Sequence, residues 1–206
     1  MHIKNSFAAK EHLAKDEKMK ILIDTVEPYQ LVERDNIFIR LCSSIMSQQL
    51  SIKVADVIFK RFLNLYNGSE PQPYQILETP IETLRGIGLS YAKANYVHNV
   101  AAFMIEKNAD DALIRNRTNE EIIEFLTQIK GVGRWSVEML LMFTLGREDV
   151  FALDDLGIQQ TMIKLYNLNA TDKKILKKEM QQVAENWKPY RTYACFYLWK
   201  FKDNKQ

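Results

Sequence analysis

The chain has 206 residues, 47% hydrophobic and 26% charged, with a formal net charge of +2. That length fits one domain or two small ones sharing a core, and the composition excludes disordered, collagen-like and low-complexity chains. Seven glycines and five prolines are too few for an all-β protein, and two cysteines (Cys42, Cys195) cannot build a disulfide framework or a four-thiolate zinc or iron–sulfur centre. Three histidines (His2, His12, His98) without repeated spacing argue against a histidine metal centre. The opening MHIKNSFAAKEHLAKDEK is charged throughout and lacks the apolar stretch of a secretory leader. No run approaches the ~18 apolar residues of a membrane span. These features predict a soluble cytoplasmic chain with reduced thiols and no membrane partner. The charge is uneven: residues 158–206 carry 10 basic and 4 acidic groups, net +6, against −1 for 1–36 and −3 for 37–157. The basic end is either the solvated Lys-rich face of a helix at 173–178 or a wall facing phosphates.

Apolar residues recur at helical spacing along almost the whole chain. Ile37, Leu41, Ile45 and Met46 form one stripe. Ser51 is a plausible N-cap for the next, Val54, Val57, Ile58, Phe62 and Leu65. Residues 90–106 carry Tyr91, Ala94, Val97, Ala101, Met104 and Ile105. Thr118 and Glu121 have the spacing of a capping box, ahead of Ile122, Phe125, Leu126 and Ile129. The pattern continues through 134–145, 155–166 and 172–186, and Pro189 suits the first turn of a last helix to about Phe201. Breaks fall at Asn67–Pro73, Gly86–Gly88, Gly131–Gly133 and Gly146–Asp149. No stretch alternates as a strand, so the sequence predicts an all-α fold of roughly nine or ten helices.

The most informative stretch is Ile129-Lys130-Gly131-Val132-Gly133-Arg134-Trp135-Ser136. A capped helix enters it and another apolar helix leaves it. Two glycines around one apolar residue allow a tight turn and a close backbone approach. The helix start offers unpaired N–H groups and a positive dipole end, suited to a phosphate. Taken alone, the pattern is a weak signal and reads first as a plain connection between helices; its context changes that.

"IKGVGRW" followed about twenty residues later by "DVFALDDLGIQ" resembles the helix-hairpin-helix DNA glycosylase superfamily, and within it the DNA-3-methyladenine glycosylase II type. The segments "SIMSQQLSIKVADVIFKRF" (44–62), "LRGIGLSYAKANYV" (84–97) and "WKPYRTYACFYLWKF" (187–201) agree, in the family's order, so the resemblance covers about residues 35–201. It implies two helical lobes with a cleft between them. One lobe is 37–146, ending in the helix-hairpin-helix; the other is discontinuous, 1–36 plus 147–206. With only residues 1–35 ahead of the first motif, it implies the compact form without the extra domain of some members.

The resemblance also assigns roles. Cleaving an N-glycosidic bond builds positive charge on the sugar, which a carboxylate stabilises while orienting water. The resemblance puts that carboxylate at Asp155; beside it, a support role is proposed for Asp154, with Arg191 as a candidate partner. An Asp before a helix is otherwise an ordinary cap. Relatives that also cut the strand have a nucleophilic lysine where this chain has Trp135. Indole forms no Schiff base, and neither Lys130 nor Lys93 sits at that position. A monofunctional enzyme is therefore expected, with a bifunctional glycosylase/lyase, a non-catalytic hairpin module and a helical scaffold as rivals. Trp135 and Trp199 would stack on a cationic alkylated purine, with Met139, Leu156 and Tyr193 beside them; Tyr193 and Tyr197 belong either to that pocket or to the core. In the loop Ser47–Ser51, Gln49 takes the wedge position that fills the gap left by an extruded nucleotide, with Gln48 and Leu50 beside it. Gly131, Val132, Gly133 and Ser136, and the second turn of Gly86, Gly88, Ser90 and Lys93, would contact the DNA backbone without reading sequence. Carbonyls of Thr127, Ile129 and Val132 match positions that hold Na+ or K+ in relatives; no cofactor is expected for the chemistry. The expected partner is double-stranded DNA with alkylated bases, bound by a monomer, at the nucleoid in a bacterium or in the nucleus of a eukaryote.

Overall fold

The structure, a computed structural model, describes residues 6–27 and 29–203; His2 lies outside them. Among the described residues there are thirteen helices and no strand: α1 (Phe7–Leu13), α2 (Glu17–Thr25), α3 (Ile37–Ser47), α4 (Ile52–Asn64), α5 (Pro73–Glu78), α6 (Ile81–Gly86), α7 (Tyr91–Glu106), α8 (Asp111–Arg115), α9 (Asn119–Leu126), α10 (Arg134–Phe143), α11 (Leu156–Tyr166), α12 (Lys173–Glu185) and α13 (Arg191–Asp203). The fold is all-α, as expected, but the helix count exceeds the sequence reading. Helices α5, α6 and α8, of 6, 6 and 5 residues, are too short to display a 3.6-residue period. No helix among the described residues is long and apolar enough to cross a membrane.

The chain forms two compact units, one of Arg34–Leu140 and one of Met1–Glu33 with Leu141–Gln206. In the first, α3 is buried almost all round, through Ile37, Phe38, Ile39, Leu41, Cys42, Ile45 and Met46, as expected of a central helix. Its start is fixed by the Asp111 carboxylate, which accepts from the Asn36 and Ile37 amides at 2.8 and 2.9 Å. Helix α7 packs against α3, α5 and α6. The caps read from spacing are formed: Ser51 Oγ accepts from Val54 N at 3.4 Å, and Thr118 and Glu121 close a reciprocal capping box.

The second unit is organised by α13, whose residues Thr192, Tyr193, Ala194, Cys195, Phe196, Tyr197 and Leu198 are all buried. Helix α13 packs against α2 and α11. Asp16 joins three elements. Its Oδ1 caps α2 through the Lys18 and Met19 amides, while Oδ2 accepts from Tyr166 Oη at 2.7 Å and from the indole of buried Trp187 at 3.0 Å. That environment, burial first and then the neighbouring carboxylate, pushes the Tyr166 phenol far above its ordinary pKa. Pro189 precedes the last helix instead of entering its first turn. The turn is closed by Tyr190 N donating to Trp187 O at 2.7 Å, and α13 starts at Arg191.

Candidate active site

Asp155 is the N-cap of α11, and its Oδ1 accepts from Ile158 N at 2.9 Å and from the Trp199 indole at 2.8 Å. The cap is the ordinary use of Asp at a helix start; the indole donor is not. Two donors from different helices converge on one oxygen and fix the direction of a half-buried carboxylate. Trp199 is itself held by rings: it stacks on Phe143 at 5.9 Å and 23°, and lies 5.7 Å from Phe196. Gly157 makes this close fit, because a Cβ there would lie 3.0 Å from Asp155 Oδ1 and 3.2 Å from Trp199 Cδ1. Gly157→Ala is therefore expected to displace both groups and to cost about 1–3 kcal/mol of stability, read from a denaturant melt, with a change in tryptophan fluorescence reporting the displacement.

The segment leading to Asp155 is fastened to the start of α13 by three consecutive residues. Arg191 grips Asp149 bidentately at 2.6 and 2.9 Å. The Thr192 hydroxyl donates to Arg147 O at 2.6 Å and accepts from Val150 N at 3.0 Å. Tyr193 Oη donates to Glu148 Oε1 at 3.1 Å. Two expectations are corrected here. Arg191 does not pair with Asp154: it is committed to Asp149, whose carboxylate matches the guanidinium fork, and Asp154 forms its ion pair with Lys177 of α12. Tyr193 is 1% exposed, a core residue whose phenol is pushed upward in pKa by burial and by Glu148, and it has no face to offer a base. Tyr197 is buried likewise. Leu156 is 69% exposed, in a hollow of about 210 Å³ shared with Asp154, Gln159, Lys173, Leu176 and Lys177.

In the other unit the hairpin runs from the end of α9 into α10. Val132 N donates to Ile129 O at 3.0 Å, and Asn99 Nδ2 holds the Lys130 carbonyl at 3.1 Å. The two glycines differ. Gly131 has φ +102° and rests against Tyr96, where a Cβ would come within 2.1 Å of the ring, whereas a Cβ at Gly133 would meet open space. Only Gly133 leaves room for an approaching backbone. Trp135, 38% exposed, and half-buried Met139 lie on α10. Ser136 is 3% exposed and its hydroxyl accepts from Gln48 Nε2 at 3.1 Å, so of the hydroxyl or amide expected at a phosphate, the hydroxyl is turned inward.

The loop after α3 holds Gln49 at φ +60°, exposed, next to Leu50. Lys93 was expected at the DNA backbone. Its ammonium instead donates to the carbonyls of Met46 at 3.0 Å and Gln48 at 2.6 Å, and desolvation lowers its pKa. Gly86 closes α6, and Gly88, at φ +112°, precedes the Ser90 cap of α7. Among the described residues no group of three or more His, Cys, Asp or Glu side chains could hold a metal ion. Gly157, Tyr96, Asp149, Thr192 and the Lys93 contacts escaped the sequence reading. Of these, only Asp149 left a trace, through its partner Arg191, which the sequence reading sets beside Asp154 instead.

A two-unit helical fold with a glycine hairpin and a helix-capping aspartate under an indole is the architecture of a DNA-repair family. The pattern of the HhH-GPD superfamily base excision DNA repair protein matches residues 42–189. The chain belongs to that family. DNA-3-methyladenine glycosylase 1 of Schizosaccharomyces pombe is 37% identical over 190 residues, covering 90% of this chain and 82% of that protein. The crystal structure of a DNA-3-methyladenine glycosidase from Bacillus halodurans superimposes with a TM-score of 0.83 at 34% identity, covering 98% of this chain and 93% of that one. The S. pombe 3-methyladenine DNA glycosylase Mag1, solved in complex with abasic DNA, gives a TM-score of 0.83 at 36% identity, covering 95% and 97%.

Proposed function

We propose that the chain is a monofunctional DNA glycosylase that hydrolyses the N-glycosidic bond of alkylated purines of the 3-methyladenine and 7-methylguanine type in duplex DNA, working as a monomer and leaving an abasic site. The observation that carries this reading is the Asp155 carboxylate, pinned by the Ile158 amide and the Trp199 indole, in a chain of this family. The target nucleotide leaves the stack. Alkylation makes the base cationic, so the C1′–N bond breaks with its electron pair going to the base, which departs neutral. Asp155 offsets the positive charge left on the sugar. Water adds to C1′ and gives its proton to Asp155, completing the abasic sugar. Tryptophan at position 135 suits a cationic purine, because its indole face attracts positive charge.

Gly133 and the N–H groups opening α10 take a phosphate of the backbone, and Gln49 fills the vacated stack. The hairpin carbonyls of Thr127, Ile129 and Val132 would hold a monovalent cation. Ile129 O accepts from Val132 N and keeps a second lone pair, and an all-oxygen set suits a hard ion. Its charge would bridge hairpin and phosphate. None of this reads sequence, so binding weakens steeply with salt.

The reading is tested by incubating the protein with a panel of duplexes that each carry one damaged base. Release of 3-methyladenine or 7-methylguanine is expected, and borohydride should trap no covalent adduct on an abasic duplex. A trapped adduct would identify a lyase, and DNA binding without any release would identify a non-catalytic module.

A further inference from the structure

Lys93 lies in the first turn of α7, yet its side chain spans to the end of α3. Its half-buried ammonium takes two carbonyls, Met46 O at 3.0 Å and Gln48 O at 2.6 Å. These are orphan acceptors at a helix C-terminus, where a cation is favoured by the helix dipole. The same loop has a second anchor, Gln48 Nε2 to Ser136 Oγ at 3.1 Å. Between Gln48 and the Ser51 cap only Gln49 and Leu50 project outward, and Gln49 holds a left-handed φ of +60°. A two-residue tip in a rare backbone state persists only where its surroundings over-determine it. Lys93 on one side and Ser136 on the other supply that constraint. An ammonium engaged by two carbonyls has one N–H left for anything else, a poor arrangement for a phosphate ligand.

We propose that Lys93 is the positioning residue that holds the Gln49–Leu50 tip rigid for insertion into the stack, acting through the loop backbone and not through a phosphate. This rests on reading the chain as a glycosylase that extrudes its target. Without the strut, the carbonyls of Met46 and Gln48 turn to solvent, the tip loses its fixed pitch, and extrusion slows while docking on the backbone persists.

The test uses the full chain and the variants K93M, K93R and S136A on a 7-methylguanine duplex. K93M is expected to slow single-turnover release about ten- to a hundredfold, the range for losing hydrogen bonds from a charged group. The slope of log affinity against log salt should be unchanged. Release should recover when the damaged base faces an abasic position, where unpairing costs least. K93R, whose fork also reaches two acceptors, should keep most of the activity. S136A should reproduce the K93M pattern at smaller amplitude, and it decides the matter if K93M does not fold. A salt slope reduced by about one charge, or equal losses on the paired and unopposed substrates, would make Lys93 a phosphate ligand and overturn the proposal. A native chain that releases no base from any duplex would instead overturn the glycosylase reading, before any variant is compared.

Discussion

Asp155→Asn is expected to slow base release by about two to three orders of magnitude, the usual cost of removing one preorganised charge-stabilising group, while affinity for an abasic duplex stays within a few-fold of the native value. The substitution separates charge from structure. Asparagine caps helices about as well as aspartate, and its carbonyl can still accept from Ile158 N and the Trp199 indole, the two donors at 2.9 and 2.8 Å. What disappears is the negative charge that the proposed mechanism sets against the sugar, and with it the acceptor it assigns to water's proton. Asp155→Ala removes the cap as well and should cost a further ~0.5–2 kcal/mol of stability. Single-turnover release on a 7-methylguanine duplex, read beside a binding titration, checks the pair. If the asparagine variant releases base at the native rate, the carboxylate is only a cap.

Gly131→Ala should be the most damaging single methyl in the hairpin. Two costs combine: a side chain at φ +102°, worth ~1–3 kcal/mol of backbone strain, and a Cβ driven 2.1 Å from Tyr96 Cγ, with overpacking worth another ~1–3 kcal/mol. A loss of this size is a large fraction of the ~5–15 kcal/mol that keeps a domain folded. DNA binding should fall with it, because the same turn presents the α10 amides. Tyr96→Ala removes the obstacle, so the double variant should be less unstable than the two single losses combined, with a coupling of ~0.5–3 kcal/mol in a double-mutant cycle. Strict additivity would show that the ring is not the obstacle. Gly133→Ala, whose methyl meets open space, should leave the melt unchanged and weaken DNA binding alone.

The parts legible in the sequence are those whose physics is local. Ser51, Thr118 and Glu121 satisfy amides three residues away, so spacing alone reveals them. The four motifs carried the family. The parts that escaped depend on partners far along the chain. Arg191 and its acceptor Asp149 are 42 residues apart, and spacing could not rank Asp149 above Asp154. Lys93 reads as a contact to the DNA backbone because its acceptors are backbone carbonyls, which no residue type advertises. Tyr193 and Tyr197 carry the same aromatic signal whether they face a base or the core, and burial decided. The opening helices α1 and α2 were passed over because the charges around them hide a short stripe, Met19, Leu22 and Ile23. Asp16 reads as an ordinary cap until Tyr166 and Trp187 are placed beside it.

That aspartate sets a lower limit on how far the protein can be trimmed. The family pattern spans residues 42–189, which invites the view that a fragment of that extent is a minimal enzyme. Such a fragment would strand the hydroxyl of Tyr166 and the ring nitrogen of Trp187 without their shared acceptor. It would also discard Trp199, the donor that fixes Oδ1 of Asp155. Residues on either side of the recognisable signature thus tether both ends of α11, Trp199 through Asp155 at its start and Asp16 through Tyr166 at its finish.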